Sequence, residues 1–269
     1  MSESLPREIA DVLEAAAPRL GHLGRPAYYF SEARSTNDVA LALADRGAPE
    51  GTIVIAAAQT AGRGRLGRTW HSPPDAGLYV SVICREGRAA PLLALGAGVA
   101  VADGITAATG LPVEIKWPND IVLPVGAASN RRRKLAGVLA EAASGAGAVQ
   151  HVVVGFGVNL RPSAYPPDVA ARATSLEAEL GRPVDAGRLL VEILAVLAQA
   201  IGKLSAGDSR AIVERCRALS PGASGSPVEF DSTLGRQAGV TAGIAEDGAL
   251  LVRFGDRVER IIAGELVWM

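Results

Sequence analysis

Between Gln59 and Trp70 the chain alternates three glycines with three arginines in one short run, and this fixes a loop at the exit of an apolar strand. Gly62, Gly64 and Gly67 permit backbone conformations and close approaches that side chains would block. Arg63, Arg65 and Arg68 carry permanent charge on forked donors that suit phosphate or carboxylate. The preceding residues 52–58 read as an apolar strand that delivers Gln59 to the loop. A loop of this make-up can close over an anion.

Four further runs keep it company. Ser35-Thr36-Asn37 offers two hydroxyls and an amide, and reads either as a helix cap or as a set of donors and acceptors displayed to a ligand. Lys116-Trp117-Pro118-Asn119-Asp120 places a lysine at the end of an apolar strand, where its ammonium is costly without partners. Pro118 restricts its predecessor to extended geometry. Asn119 and Asp120 either support Lys116 or face a metal–nucleotide, Asp120 reading equally as a turn residue. Lys134-Leu135-Ala136-Gly137 and Gly155-Phe156-Gly157-Val158-Asn159 follow. Lysine occurs only at 116, 134 and 203, whereas arginine supplies the other 24 of the 27 basic residues. Two of the three lysines therefore sit in these runs, where a compact point charge does what a guanidinium cannot. Trp70 either stacks on a ligand ring or fills the core at the loop's hinge. Arg131, Arg132 and Arg133 read as a solvated basic run or as part of the site. His22, His71 and His151 form no triad or metal pattern, and His151 reads as a strand-start residue.

At 269 residues and 49% hydrophobic, the chain can bury one sizeable core, or a large domain with a small one appended. A net charge of −1 argues against nucleic acid or an anionic membrane as a bulk electrostatic partner. Cys84 and Cys216 show neither a disulfide framework nor metal spacing, which points to a reducing compartment. The N-terminus lacks the basic-then-apolar pattern of a signal peptide. Residues 89–108 are apolar but interrupted by Gly96, Gly98, Asp103 and Gly104, and read as a buried helix.

The pattern predicts helices over 7–20, 39–46, 92–109, 188–203 and 209–218. Strands are expected at 28–30, 52–58, 78–85, 113–117, 120–123, 135–142 and 151–157, with a loop over 124–133. Residues 219–227 form a Pro/Gly/Ser cluster that reads as a linker. Short strands follow at 228–230, 239–244, 250–254 and 258–262, with a hairpin turn at Glu246-Asp247-Gly248.

The order of these runs closely resembles that of the biotin-protein ligases from about Ser35 to the C-terminus. The resemblance implies an α/β (α+β) fold: a mixed, largely antiparallel sheet with helices in a class II synthetase-like catalytic domain, residues 1–219. A small C-terminal SH3-like β-barrel would occupy residues 220–269. It implies an ATP-dependent ligase that activates biotin as biotinyl-5′-AMP and transfers it to a lysine of a biotin carboxyl carrier protein domain, in the cytoplasm. ATP and biotin are the substrates, and Mg²⁺ accompanies ATP; no residue is assigned as a protein metal ligand. Lys116 and Arg65 are expected to be catalytic. Ser35, Thr36, Asn37, Gln59, Gly62, Arg63, Gly64, Arg65 and Lys116 are expected to bind biotin. Arg65, Arg68, Trp70, Asn119, Lys134, Gly137 and Asn159 are expected on the ATP and adenylate side. About thirty residues precede Ser35, too few for a winged helix-turn-helix, so the monofunctional class without a nucleic-acid partner is implied. No membrane partner is expected. A lipoate or octanoate transferase would need a long apolar tunnel, and the complete Gly-Arg loop with Lys116 to Asp120 argues against it. A biotin-sensing repressor and a non-catalytic nucleotide binder are the remaining alternatives; pyrophosphate release separates the latter from an enzyme.

Overall fold

The computed structural model describes residues 2–85, 90–124, 132–145, 148–163, 165–232, 235–262, 264 and 266–268. Seven strands form the main sheet: β1 (Ala27–Phe30), β2 (Ile53–Ala56), β3 (Gly77–Cys84), β4 (Glu114–Lys116), β5 (Asp120–Pro124), β6 (Arg132–Gly145) and β7 (Ala148–Asn159). Their spatial order is β1-β2-β3-β7-β6-β5-β4. Only β1 and β2 run parallel; the other pairs are antiparallel, giving the mixed, largely antiparallel sheet expected.

Alternation along the central strands divides the sheet into two faces. Ile53, Ile55, Leu78, Val80, Val82, Val152, Val154, Phe156 and Val158 enter the large core. That core lies against α4 (Ala90–Thr109), α7 (Ala186–Ser205) and α8 (Arg210–Leu219). On the opposite face Val54, Ile83 and Val153 meet Ala40 and Ala44 of α3 (Thr36–Asp45). Because α3 has ten residues, it covers only part of this face. The remainder is the floor of the site.

α4 is long and apolar enough to cross a membrane, yet Leu93, Ala97, Ala100, Val101 and Ile105 are buried in the core. α7 starts two residues before its expected position. Asp185 caps it by accepting from the Arg188 N–H at 2.9 Å, and Leu189, Leu190, Ile193, Leu194, Leu197 and Ile201 are buried. Each such side chain contributes about 1.5–3 kcal/mol of transfer free energy.

Residues 7–20 form two helices, α1 (Arg7–Ala15) and α2 (Ala17–Leu20), rather than one. Pro18 is the cause: it has no N–H to donate and its ring opposes the carbonyl one turn earlier, so it sits in the first turn of a new helix. Two short helices have no counterpart in the sequence reading, α5 (Pro167–Ala170) and α6 (Leu176–Leu180).

The second sheet contains β8 (Ser224–Ser232), β9 (Gly235–Ile244), β10 (Leu250–Phe254), β11 (Arg257–Ile261) and β12 (Leu266–Trp268), in the order β11-β10-β9-β8-β12. Residues 219–227 are not a loose tether. Ser220 is buried, residues Pro221–Ala223 make a 3₁₀ turn, and β8 already pairs at Ser224 with Ala242. Pro227 is tolerated because the ladder shifts register between Ser224 and Pro227. Ala223, Val228, Ile244, Leu250, Val252, Phe254 and Ile261 belong to the same core as the main sheet. Trp117 Nε1 donates to the Gly248 carbonyl at 3.0 Å, and Arg217 Nε donates to Ile244 O at 2.7 Å.

Candidate active site

Strand register sets the floor of the site. Phe30, Ala56, Tyr79, Gly157, Gly137, Asp120 and Lys116 lie abreast, one from each of the seven strands. Two residues along, Ser81, Gly155 and Leu139 form a parallel row on the same face. The Gly-x-Gly spacing of β7 therefore places both missing side chains on the cavity side. A Cβ on Gly155 would stand 2.1 Å from Asn37 Oδ1, and one on Gly157 would stand 2.5 Å from Trp70 Nε1. Each glycine is the berth of a side chain brought in from outside the strand.

One end of the floor is neutral and polar. Ser35 is the N-cap of α3 but makes no side-chain cap bond. Gln59 supplies the cap from across the site: its Oε1 accepts from the Thr36 N–H at 2.9 Å and from Thr36 Oγ1 at 3.2 Å. Gln59 Nε2 donates to Ser72 Oγ at 2.7 Å, so the amide is fixed at both ends. Ser81 Oγ lies 2.8 Å from Thr36 Oγ1 and 2.5 Å from Asn37 Oδ1. Asn37 Nδ2 donates to Glu141 Oε2 at 2.6 Å. These oriented donors and acceptors suit an uncharged ring that carries both.

The Gly/Arg loop folds back on itself. Gly64 N donates to Arg68 O at 2.7 Å and Trp70 N to Gly62 O at 2.9 Å, around a 3₁₀ turn at Arg65–Gly67. Leu66 holds φ 56° at the tip and is 62% exposed. Arg65 Nη1 donates to Asn119 Oδ1 at 3.3 Å. The Arg63 guanidinium, at the cavity's edge, is paired with Asp38 and Glu141, each at 2.8 Å. Gly62 does not line the cavity; a Cβ there would meet Trp70 O at 2.4 Å and Ser72 Oγ at 2.8 Å, so its smallness serves the loop's own packing.

The other end is cationic. Lys134 Nζ is 2.5 Å from Asp120 Oδ1 and 5.1 Å from the centroid of the Trp70 ring. Asp120 thus opens β5 and pairs with Lys134. Trp117 opens the turn after β4, through a cis peptide to Pro118, instead of extending the strand. Lys116 Nζ lies 5.9 Å from the Trp268 ring centroid. Burial pushes the Lys116 ammonium below the ordinary lysine range; Asp120 opposes the shift, while Lys134, Arg132 and Arg68 add to it. Burial likewise lowers Arg65, again opposed by Asp120. Asn159 is buried and donates to Thr174 O at 2.9 Å. Arg132 pairs with Glu114 at 2.9 Å and Arg133 with Glu179 at 2.7 Å; Arg131 lies outside the described residues.

Side chains from both ends border one cavity of about 760 Å³. Of the expected site residues, Ser35, Thr36, Asn37, Gln59, Arg63, Gly64, Arg65, Arg68, Trp70, Lys116, Asn119, Lys134, Gly137 and Asn159 line it. Sequence reasoning missed Ser81, Glu141 and Trp268. The first two had a signal: each is a lone polar residue within an apolar strand, Ser81 in Gly77–Cys84 and Glu141 among Val138 to Ala143. Trp268 had none. His151 lies buried inside β7, away from the cavity lining.

Residues 29–159, from β1 to the end of β7, match the Biotin/lipoate A/B protein ligase family. The chain is 35% identical over 244 residues to the biotin–[acetyl-CoA-carboxylase] ligase of Mycobacterium tuberculosis, covering 87% of this chain and 85% of that protein. It is 34% identical over 235 residues to the protein of the same name from Paracoccus denitrificans, covering 81% and 90%. The bifunctional ligase/repressor BirA of Bacillus subtilis is 37% identical over 177 residues, 64% of this chain; the match spans about half of that relative, 52%. Among solved structures, the biotin protein ligase from Aquifex aeolicus in complex with biotin and ATP matches with a TM-score of 0.77 at 26% identity, over 90% of this chain and 98% of that one. With β1 to β7 matched by the family and a relative 35% identical over most of both chains, the chain belongs to the Biotin/lipoate A/B protein ligase family.

Proposed function

We propose that the protein is an ATP-dependent ligase that converts biotin to biotinyl-5′-AMP and transfers the acyl group to a lysine of a biotin carboxyl carrier protein domain. The observation that carries this reading is the two-ended cavity. Ser35, Thr36, Asn37 and Gln59 offer a neutral end to a cyclic urea, while Arg65, Arg68, Lys116 and Lys134 offer a cationic end to phosphates. The similarity to biotin–[acetyl-CoA-carboxylase] ligases and to the biotin and ATP complex of the Aquifex aeolicus protein supports it.

In the first step a carboxylate oxygen of biotin attacks the α-phosphorus of ATP. An O–P bond forms, the bond to the β-phosphate oxygen breaks, and pyrophosphate leaves. Two anions must approach, and the Lys116 ammonium offsets their repulsion and the charge developing on the phosphoryl oxygens. Its partial burial weakens the screening of that charge by water. Arg65 and the Gly/Arg loop cover the mixed anhydride against water. In the second step the carrier's neutral lysine amine attacks the acyl carbon, forms the amide, loses a proton and expels AMP. Catalysis is mainly positioning and electrostatics.

Among the described residues no three His, Cys, Asp or Glu side chains cluster to hold a metal ion. Mg²⁺ is therefore assigned to the nucleotide's phosphates, where it neutralises charge. Trp70, held between Gly157 and Lys134, is assigned to the adenine side, with Asn119, Gly137 and Asn159 beside it. The main sheet is read as the class II synthetase-like domain, residues 1–219, and the second sheet as the SH3-like barrel, residues 220–269, acting in the cytoplasm. The test is mass spectrometry of a purified carrier domain incubated with the protein, ATP, Mg²⁺ and biotin. One biotinyl group on one lysine is expected. An unmodified carrier, or equal modification with lipoate, overturns the reading.

A further inference from the structure

Glu141 belongs to none of the runs that marked the site in the sequence. It lies on β6, four residues past Gly137 on the same face, with a side chain 27% exposed. One of its oxygens, Oε2, accepts from Asn37 Nδ2 at 2.6 Å and from Arg63 Nη2 at 2.8 Å. The first partner belongs to the neutral end of the cavity, the second to the root of the Gly/Arg loop. Nη2 of Arg63 also lies 2.8 Å from Asp38 Oδ1, so one guanidinium nitrogen is paired with two carboxylates. Hydrogen bonds run unbroken through Gln59, Thr36, Ser81, Asn37, Glu141 and Arg63, and an ion pair extends the run to Asp38.

Chemistry gives that run a direction. A carboxylate only accepts, so Glu141 holds the Asn37 amide with Nδ2 toward itself and Oδ1 toward Ser81. Gly155 gives Oδ1 its room, since even a methyl group there would overlap it. Arg63 in turn bridges Thr69 on the return leg of the loop, so a hold on Arg63 is a hold on both legs. A ligand that engages Asn37 therefore acts on the same carboxylate oxygen that anchors the loop.

We propose that Glu141 is a positioning residue that couples the ring-reading end of the cavity to the order of the Gly/Arg loop. Occupancy at Asn37 and closure of the loop favour each other through its shared oxygen. The ligand's identity rests on the proposed function; the anchoring of the loop does not.

Trypsin cleavage after Arg65 and Arg68, with and without biotin, reads the coupling in the full chain. Glu141→Gln keeps size and an acceptor but loses the charge that holds Arg63. Without ligand, its loop is expected to be cut roughly tenfold faster than wild type, the order expected when one charge-assisted hydrogen bond is lost. Biotin should slow cleavage of the wild-type loop and leave that of Glu141→Gln unchanged. The KM for biotin should rise, with kcat for pyrophosphate release within about threefold, because the reacting atoms are not touched. Arg63→Gln, which also loses Asp38, should release the loop at least as far, and adding Glu141→Gln to it should release it no further, since Glu141 holds the loop through Arg63. Wild-type cleavage in Glu141→Gln, or additive effects in the double variant, overturns the proposal. Should Glu141→Gln fail to fold, Arg63→Gln carries the test alone: wild-type loop cleavage in that variant also overturns it. Failure of biotin to protect the wild-type loop counts against biotin as the ligand, and the ligand-free comparison still decides the anchoring.

Discussion

The indole of Trp70 rests on Gly157 so closely that a Cβ there would stand 2.5 Å from Nε1, while the Lys134 ammonium lies 5.1 Å from the ring on which it acts. A loop residue, a strand glycine and a lysine are thereby fixed as one unit at the cationic end of the cavity. Gly157→Ala is expected to displace Trp70 and cost about 1–3 kcal/mol, the usual range for overpacking. The KM for ATP should rise while biotin affinity changes little. Denaturant unfolding, tryptophan fluorescence and steady-state kinetics check these outcomes; unchanged stability and KM would refute them.

Lys116→Arg should lose most adenylate synthesis although charge is kept, because the planar fork cannot take the place of a compact ammonium between two anions. Pyrophosphate release at saturating biotin and ATP measures it, and near-wild-type rates would remove Lys116 from its assigned role.

The same residue sets a pH dependence. Burial holds the Lys116 ammonium below the ordinary lysine value of 10.5. As pH rises through that lowered value, the free protein loses its proton, so kcat/KM should fall earlier on the alkaline side than an ordinary lysine would dictate. Bound anionic substrates restore the proton, so the alkaline limb of kcat should lie higher than that of kcat/KM. Stability moves the other way. Between the lowered value and 10.5 the unfolded chain holds a proton that the folded chain has lost, so Lys116's unfavourable contribution diminishes as pH rises. Coincident alkaline limbs for kcat and kcat/KM would contradict this.

Arg65 ties the loop to the turn after β4 by its bond to Asn119 at 3.3 Å. Arg65→Gly should release biotinyl-5′-AMP before transfer, and biotinylation of an unrelated protein such as albumin should increase. Adenylate synthesis without any rise in bystander labelling would count against a covering role.

Trp268 brings the edge strand of the second sheet to the Lys116 ammonium, 5.9 Å from its ring centroid. Trp268→Ala should raise the KM for ATP by an amount corresponding to about 0.5–2 kcal/mol, the range of cation–π contacts. Biotin affinity measured by calorimetry should be unchanged. Equal losses for both ligands would point to general unfolding of the strand.

The sequence by itself determined the elements whose signals are local. Apolar alternation marked the strands of the main sheet and of the second sheet, and glycines and arginines in one run marked the loop. Lysines set among arginines marked Lys116 and Lys134, because residue type alone states the chemistry needed there. Tertiary structure decided what depends on partners distant in the chain. Arg63 is bound to Asp38 and Glu141 because α3 and β6 meet above β7, which no spacing along the chain encodes. Gln59, 23 residues beyond Thr36, caps the helix that Ser35 begins, because only the fold brings its amide to the Thr36 N–H. The 219–227 cluster became a 3₁₀ turn and strand because the second sheet shares its core with the first, and burial overrode the flexibility its composition suggested. Trp268 enters the site for the same reason: a strand at the far end of the chain reaches Lys116 only when two sheets pack on one core.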